Sequence, residues 1–469
     1  MIDGEEREEV RRLLVGMLGE EKVLWRAADT VLYRKDTYRI PFESDYEYAP
    51  DLVVLPETSD EVREVVRLAS ERRIPLIPKG GGSNRTGMLV PIHGGIIVDT
   101  IKMDGIMELN HRDLHVTAQT GVTLKKLEEY LNEHGFTLTQ EQGSHRMATV
   151  GGAISTSAFS RKNQKHGTIA NRVMSLEVVL ADGRKLRTGP KVLYTSTGIG
   201  LHHLFIGAEG TLGIVTEATL RVEPLPEERD MVLAFFDDFW RANDAAQRLM
   251  SSCVTFTGGE AYEAADAESL GAPEGKKGLF YVGLDGTRGE VEAEREYVRG
   301  IVRELGGVIA DEEHTRAYMD RYTEQWCGAR VETRFEDVLT TYVPMDRIEE
   351  FYDRLWGDIM KRHGIRPIPG DRYGLDVGRY KMVGGRYKVP EGADGWREYQ
   401  AALEEVATLA TELGGSISSC HGVGIQHKEN IRLEYTEVAL DVMRGIKRIL
   451  DPENIMNPGK KLPDDVGSP

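Results

Sequence analysis

The sequence predicts an α+β protein built from two domains and a returning C-terminal segment. Short apolar runs rich in Val, Ile and Leu alternate with amphipathic helical stretches and glycine-rich loops along the 469 residues. Pro224 and Pro226 interrupt this alternation and predict a domain boundary. We therefore expect a first domain at residues 1–228, with its core at about 46–226, a second domain at 229–428, and a C-terminal segment at 429–469.

The first domain is predicted to begin with a strand, a helix and a second strand that leads into a glycine loop. DLVVLP (51–56) predicts the first strand, and the next segment predicts a helix with Ser59 or Asp60 as N-cap. One helical face carries Val62, Val65, Val66 and Ala69, and IPLIP (74–78) predicts the second strand. Further strands are expected at 94–100, 114–121, 175–183 and 214–224, with a helix at 123–135 that ends on Gly135. This order favours two subdomains over one doubly wound sheet.

The second domain is predicted to contain two similar α/β units in tandem. Its expected elements are strands at 231–239, 277–286, 338–344 and 372–382, and helices at 238–250, 288–305, 345–364 and 396–415. Such a pair of units suggests one large antiparallel sheet that lies over the first domain as a cap. A last helix is expected at 429–450, and Pro452 and Pro458 then fix a tail that returns to the first domain.

Composition excludes several classes of function. Lys plus Arg number 59 and Asp plus Glu number 77, and the resulting net charge of −18 disfavours nucleic acid as a partner. No uncharged apolar run reaches the roughly 18 residues of a membrane span, and the acidic, amphipathic N-terminus resembles no signal peptide. The three cysteines are widely spaced, which disfavours a disulfide framework or a cysteine metal site. We expect a cytoplasmic protein, and a homo-oligomer is compatible with its composition.

Three segments rich in Gly, Ser and Thr carry the strongest functional signal. IPLIPKGGGSNRTG (74–87) places Gly80, Gly81 and Gly82 after an apolar strand, and successive backbone amides in such a loop can surround a phosphate. GSHRMATVGGAISTSAF (143–159) and IGAEGTLGIVTE (206–217) are the other two segments. Neither a Rossmann fingerprint nor a Walker A sequence is present. The three segments together predict a site for a long, phosphate-bearing cofactor.

By order and spacing, these motifs resemble those of the vanillyl-alcohol oxidase and p-cresol methylhydroxylase flavoprotein family. The resemblance is closer to the branch that contains D-lactate and glycolate dehydrogenase subunits and alkylglycerone-phosphate synthases. It extends from YAPDLVVLPETSDEV (48–62) to GGSISSCHGVG (414–424) and ILDPENIMNPGKKL (449–462). It implies an FAD-binding domain of p-cresol methylhydroxylase type, made of two subdomains, beneath an α/β cap with a large antiparallel sheet.

The resemblance also implies which residues contact FAD. Lys79 to Asn84 would hold the diphosphate, residues of the second segment would line the ring and ribityl chain, and Glu209 with its neighbours would close around the adenine side. The complete implied set is Pro78, Lys79, Gly80, Gly81, Gly82, Ser83, Asn84, Thr86, Gly87, Gly143, Ser144, Ala148, Thr149, Gly151, Gly152, Thr156, Ser157, Ala158, Glu209, Gly210, Gly213, Ile214, Val215 and Asn457. Some relatives anchor flavin through a histidine where this chain has Ser83, so noncovalent FAD is expected. NAD is not required, because flavin itself takes the hydride.

His421, in the segment SCHGVG, is the predicted proton acceptor. A neutral imidazole can take a hydroxyl proton near neutral pH, and the glycines at 422 and 424 let the backbone pass close to a ring. An anionic substrate group needs a cation, and Arg330 or Arg379, the latter with Tyr380, could supply the contact. A helix-surface or domain-interface arginine explains each of these two positions equally well.

Departures from the family pattern bear on metal binding. Metal-dependent 2-hydroxyacid dehydrogenases of this branch carry two histidines in a G-H-x-G-D-G-N-x-H segment, where this chain reads IPGDRYGLDVGRYK (368–381). Cys420 also stands where those relatives have a glutamate, so no catalytic metal is expected.

The leading functional hypothesis is an FAD-dependent dehydrogenase or oxidase that takes hydride from an alcohol or 2-hydroxyacid. A nonredox flavoenzyme resembling alkylglycerone-phosphate synthase and a flavin subunit of an electron-transfer complex are the alternatives. The implied partners are a small anionic or hydroxylated substrate and an electron-acceptor subunit or carrier.

Overall fold

The computed structural model describes residues 2–34, 36–37, 48–264, 267–327, 336–368, 373–377, 383–389 and 392–463. The N-terminal part contains eleven short strands in this described portion. They are β1 (Val23–Leu24), β2 (Leu52–Val54), β3 (Leu76–Lys79), β4 (Ile96–Asp99), β5 (Ile106–Asn110), β6 (His115–Gln119), β7 (Phe136–Thr137), β8 (Val173–Val179), β9 (Lys185–Arg187), β10 (Ile214–Arg221) and β11 (Glu223–Pro224).

These strands form two main sheets, as expected for two subdomains. The first sheet has the order β1-β2-β4-β3, in which β2, β4 and β3 are parallel and β1 is antiparallel. The second is antiparallel with the order β5-β6-β10-β8-β9, and β7 pairs separately with β11. The accompanying helices are α1 (Gly4–Leu18), α2 (Ala27–Thr30), α3 (Ser59–Arg72), α4 (Leu124–Glu133), α5 (Val150–Ser155) and α6 (Asn163–His166).

Helix α3 shows how local sequence sets these elements. Its four predicted core residues, Val62, Val65, Val66 and Ala69, are all fully buried. The N-cap is Thr58, one residue before the prediction, because its hydroxyl accepts the Glu61 amide at 3.2 Å. The Glu61 carboxylate returns to the Thr58 amide at 3.3 Å and completes a capping box.

The cap contains one sheet of eight strands, which confirms the predicted large antiparallel sheet. Its strands are β12 (Glu228–Phe236), β13 (Gly258–Glu263), β14 (Gly278–Gly286), β15 (Val308–Ile309), β16 (Glu336–Thr341), β17 (Arg366–Pro367), β18 (Gly374–Val377) and β19 (Val383–Lys388). Their order is β15-β12-β14-β13-β18-β19-β16, with β17 also paired to β19.

One face of the cap sheet carries its main core and most of the covering helices, while Tyr318 packs with Leu233, Phe235 and Leu279 on the other face. The helices that follow α6 in the chain are α7 (Phe239–Met250), α8 (Arg288–Glu304), α9 (Glu312–Cys327), α10 (Ile348–Arg354), α11 (Met360–Arg362), α12 (Gly392–Glu412), α13 (Ile431–Glu434) and α14 (Glu437–Leu450). A π-helical turn at Leu355–Ile359 joins α10 to α11, so the predicted helix at 345–364 is nearly continuous. No described helix is long and apolar enough to cross a bilayer.

The prediction of one continuous helix at 429–450 was wrong, because the structure has two helices there. The chain leaves helical geometry at Tyr435, and α14 begins after Thr436. The Thr436 hydroxyl accepts the Ala439 amide at 3.3 Å, so a new N-cap competes with continuation of the helix.

The tail after α14 pairs with the edge of the first sheet. The Leu76 amide donates to Ile455 O at 2.7 Å, and the Asn457 amide donates to Leu76 O at the same distance. Ile455 and Met456 are buried in the core beneath that sheet. Residues near the end of the chain thereby cover β3, which is an edge strand in the sheet order.

A charged clasp joins α6 of the N-terminal domain to β14 of the cap. Asp285 contacts Lys165 Nζ at 3.0 Å and His166 Nε2 at 3.3 Å. Burial opposes ionisation, but His166 and Lys165 overcome it and lower the pKa of Asp285 to about 2. His166 and Lys165 therefore bridge the two domains.

Candidate functional site

The glycine loop follows β3 at the carboxyl end of the parallel strands. The backbone amides of Gly81, Gly82, Ser83 and Asn84 donate no hydrogen bond within the described part of the chain. These residues are half-buried, and Gly82 has a φ of +72°. Four consecutive amides without an acceptor among the described residues, in a loop without bulky side chains, fit an anionic group such as a diphosphate.

The second segment lies directly against this loop. A Cβ on Gly81 would be 1.7 Å from Met147 O, and one on Gly80 would be 2.3 Å from Thr149 Oγ1. Thr149 is fully buried and caps α5, because its hydroxyl accepts the Gly152 amide at 3.2 Å. The structure therefore brings the first two sequence segments together, and the glycines are required by protein contacts before any ligand is considered.

Lys79 is less available as a cation than its place in the motif suggests. Its ammonium contacts Asp99 Oδ2 at 2.8 Å and lies 5.2 Å from the centre of the Tyr33 ring. Burial and the neighbouring Asp99 raise the pKa of Tyr33 to about 12. Since Asp99 neutralises Lys79, the loop amides are the stronger candidates for binding a diphosphate.

The glycine loop also contacts the loop that carries His421. Asn84 Nδ2 donates to His421 O at 3.1 Å, and Asn84 Oδ1 accepts the Thr86 amide at 2.8 Å. The Ile425 amide donates to Thr86 O at 2.9 Å. Gly424 has a φ of +54°, and a Cβ there would be 2.1 Å from Thr86 O. Residues more than 330 positions apart in the sequence thus form one contact surface.

On its other side, His421 contacts the cap sheet. Its Nδ1 lies 3.0 Å from Thr340 Oγ1 in β16. Thr340 pairs with Gly384 in β19, which pairs with Gly374 in β18. The neighbouring residues Leu339, Leu375 and Val383 belong to the core on the helix-covered face. Thr340 and the two glycines therefore belong to the opposite face, which has no side chain at either glycine.

Glu209 has a role that the sequence did not indicate. Its carboxylate accepts the Val423 amide at 2.9 Å and the Gly424 amide at 2.8 Å, and Lys461 Nζ lies 3.2 Å away. The resemblance implies that Glu209 closes the adenine side. In the structure its carboxylate is occupied by the His421 loop and the C-terminal tail.

The remaining implied cofactor residues lie around these contacts. Pro78 lies beside Gly210, where an added Cβ would be 3.0 Å from the proline ring. The Asn457 amide side chain donates to Met88 O at 3.2 Å and Glu209 O at 2.8 Å. Ala148, Ala158, Ile214 and Val215 are buried, Gly143, Ser144, Gly151 and Thr156 are half-buried, Ser157 is exposed, and Gly87 and Gly213 are buried. Contact of these residues with FAD stays a prediction.

Arg330, Arg379 and Tyr380 lie outside the described residues. Among those described, no group of three or more His, Cys, Asp or Glu side chains is placed to hold a metal ion.

The sequence analysis did not identify Glu260 in β13. Burial raises the pKa of Glu260, and Arg161 and Tyr281 oppose that shift. Its side chain is on the same face of the sheet as Thr340, because its neighbour Ala261 is in the helix-covered core.

Lys460, also missed from the sequence, is a buried lysine beside Glu209. It is 4% exposed, and its Nζ donates to Asn457 Oδ1 at 3.2 Å. Burial lowers the pKa of Lys460 to about 7, and Lys428 contributes in the same direction, although Asp36 and Glu209 oppose the shift.

Lys460→Met is expected to stabilise the fold, and the gain should depend on pH. Between pH 7 and the unfolded value near 10.5, the unfolded chain binds the extra proton, so stability of the wild type rises with pH in this window. The gain should be largest near pH 7, at most roughly 4–5 kcal/mol, and should shrink toward pH 10. Urea unfolding at both pH values measures it.

Lys125→Met is the matched control, because Lys125 is exposed and pairs only with Glu129 in the described structure. It should change stability little at either pH. An equal gain at both pH values in Lys460→Met would contradict a neutral lysine.

The two domains correspond to those of a class of flavoenzymes. Residues 50–189 match the family model described as FAD binding domain, and residues 225–461 match that of FAD linked oxidases, C-terminal domain. The second match alone covers more than half of the 469 residues. The chain belongs to the FAD-linked oxidase family. It is an FAD-dependent oxidoreductase, which confirms the cofactor and the class of enzyme expected from its motifs.

Relatives and a solved structure extend this likeness. The chain is 33% identical to D-lactate dehydrogenase of Archaeoglobus fulgidus, over 87% of this chain and 90% of the relative. It is 27% identical to a glycolate oxidase subunit of Bacillus subtilis, over 98% and 97% respectively. The crystal structure of p-cresol methylhydroxylase with substrate bound superimposes with a TM-score of 0.81 at 18% identity, covering 99% and 98% of the two chains. This last likeness confirms the predicted fold.

Proposed function

We propose that this enzyme oxidises the hydroxyl-bearing carbon of a small 2-hydroxyacid, with His421 as proton acceptor. The position of His421 carries the proposal, because its backbone is bonded to the glycine loop and its imidazole to the cap. The similarity to enzymes named for D-lactate and glycolate supports the substrate class. Both of those substrates carry a hydroxyl group next to a carboxylate.

FAD, when bound, supplies the acceptor for the hydride that leaves the substrate carbon. The backbone amides of residues 81–84 would hold its diphosphate, and Asn84 and Thr86 would brace the loop. His421 would remove the hydroxyl proton. When its Nδ1–H donates to Thr340, the neutral ring presents its acceptor lone pair at Nε2. Thr340 would then fix the tautomer and the ring orientation that proton transfer requires.

An arginine on the cap would bind the substrate carboxylate. Arg330 and Arg379, with Tyr380, remain the candidates proposed from the sequence. Arg386 is a third, because it is two residues from Gly384 and so shares the sheet face of Thr340. A guanidinium group can bind a carboxylate with two parallel hydrogen bonds. The Arg386 side chain would occupy the space beside Gly374 of β18 and Gly384 of β19, which carry no side chains.

An anaerobic screen of 2-hydroxyacids, aromatic alcohols and polyols tests the proposed reaction. Loss of the oxidised-flavin absorbance with D-lactate, glycolate or a related hydroxyacid is the expected result. Reduction only by alcohols that lack a carboxylate would overturn the substrate class. No reduction by any compound, together with ether formation from an acyl dihydroxyacetone phosphate, would instead establish the nonredox alternative. If a 2-hydroxyacid reduces the flavin, stopped-flow reoxidation by oxygen, quinone and cytochrome would identify the electron acceptor.

FAD is expected to leave the protein when the chain is denatured. Ser83 has no ring nitrogen with which to form the histidyl link of some relatives. After acid precipitation, all flavin absorbance should therefore appear in the supernatant. A yellow pellet that keeps its colour after repeated washing would show a covalent bond to another residue.

A further inference from the structure

Glu209 is a buried carboxylate held in a fixed place by the N-terminal domain and the tail. It precedes β10 and has a φ of +55°, which is uncommon for a residue with a side chain. Its amide donates to Ser155 O at 2.8 Å, and its carbonyl accepts Asn457 Nδ2 at 2.8 Å. Only 1% of the side chain is exposed. The backbone of Glu209 is thus fixed by the N-terminal domain and the tail.

The Glu209 carboxylate accepts hydrogen bonds from the turn that follows His421. Its two oxygens accept the amides of Val423 and Gly424 at 2.9 and 2.8 Å, which uses one oxygen for each amide. Gly422 has a φ of +79°, and a Cβ there would be 2.9 Å from Glu209 Oε1. The glycine therefore lets the turn approach the carboxylate closely, and one acidic side chain holds the first two amides after Gly422.

We propose that Glu209 is a positioning residue that fixes the His421 imidazole at the junction of the two domains. Thr86 bonds the backbone of this loop. Three further side chains act on it: Asn84 on the carbonyl of His421, Thr340 on its ring, and Glu209 on the following amides. Asn84 and Thr340 each supply one hydrogen bond between neutral groups. Glu209 supplies two that are charge-assisted, and such bonds are the stronger kind.

The proposal rests on the proposed role of His421, but its first test does not require catalysis. Glu209→Gln keeps the side-chain size and replaces one acceptor oxygen with an NH₂ group, which would face a backbone N–H. Hydrogen exchange of the peptide spanning residues 418–427 should then accelerate by about tenfold or more in the FAD-loaded protein. Unchanged exchange would overturn the proposal whatever the reaction proves to be.

Glu177→Gln is the matched control. Glu177 is a buried carboxylate in β8 of the same domain, and it bonds Thr216 and Arg187. No described contact joins it to the His421 loop. The substitution should leave exchange at 418–427 unchanged, so a general softening of the domain can be separated from release of the loop.

A double-mutant cycle tests whether Glu209 acts through His421. With the 2-hydroxyacid that reduces the flavin fastest, Glu209→Gln should slow anaerobic reduction by about 10- to 100-fold with FAD content and KM nearly unchanged. In the His421→Ala background, the same substitution should change the rate by less than about threefold. Multiplicative effects would overturn the proposal, as would loss of FAD with unchanged exchange at 418–427. If His421→Ala alone has no effect, the proposed function fails, whereas the exchange result still reports the tether.

Glu209→Asp provides a second variant should the glutamine variant not fold. It keeps the charge but withdraws the carboxylate by one methylene. Faster exchange at 418–427 and slower flavin reduction than in the wild type are expected, and both together would support positioning. Wild-type exchange and rate in Glu209→Asp would oppose it, because the grip depends on where the oxygens lie.

Discussion

His421→Ala is expected to slow anaerobic flavin reduction by about 10²- to 10⁴-fold, the range for loss of a positioned proton acceptor. Alanine leaves the backbone bonds to Asn84 and Glu209 in place, so FAD content and thermal stability should change little. The wild-type rate should rise with pH through one ionisation as the imidazole becomes neutral, and the variant should lose that dependence. Stopped-flow measurement across pH gives both quantities.

His314→Ala is a suitable control. His314 is a half-buried cap residue whose ring forms a hydrogen bond only with Asp311 in the described structure. Its removal should leave the rate and the pH profile unaltered. If His421→Ala reduced its flavin as fast as wild type with the same profile, Glu260 would become the next proton acceptor to test.

Gly81→Ala is expected to abolish FAD binding and lower the stability of the N-terminal domain. The new Cβ would be 1.7 Å from Met147 O, so the glycine loop and the second segment would have to separate. Such overpacking costs about 1–3 kcal/mol or more, and the separated loop no longer presents its four amides together. Flavin absorbance per chain and the urea midpoint measure the two effects.

Gly445→Ala offers a contrasting glycine. It lies within α14, and a Cβ there meets no atom within 4 Å. This variant should bind FAD normally and gain up to about 1 kcal/mol of stability from the helix preference of alanine. Normal FAD content in Gly81→Ala would mean that the loop can move away from Met147 and would remove the glycine requirement.

The sequence indicates that another group approaches Gly81 closely, and the structure shows which group lies there. A run of three glycines indicates close approach of another group, and sequence reasoning assigned that group to the cofactor. The structure places the Met147 carbonyl there. Periodicity and turn chemistry are local, whereas the identity of a packing partner some 66 positions away, from 81 to 147, is decided by tertiary structure.

The same limit explains which contacts of the site were missed. Thr340 is 81 positions from His421, and Glu209 is 214 from Val423, so no spacing in the sequence marks either contact. His421 itself was predicted because its flanking glycines form a recognisable local pattern. Element boundaries failed where two caps competed, as at Thr58 and Thr436, since neighbouring Ser, Thr and Asp residues can all accept a backbone amide.

The pairing of Leu76 with the tail has a consequence for folding during synthesis. Synthesis releases β3 early, but its edge partner, Met456, follows 380 residues later, from 76 to 456. Until then an apolar strand edge stays open, and such edges invite association with other chains. We expect chaperones to bind nascent chains stalled before residue 450. They should dissociate once Met456 has been synthesised and has paired with Leu76.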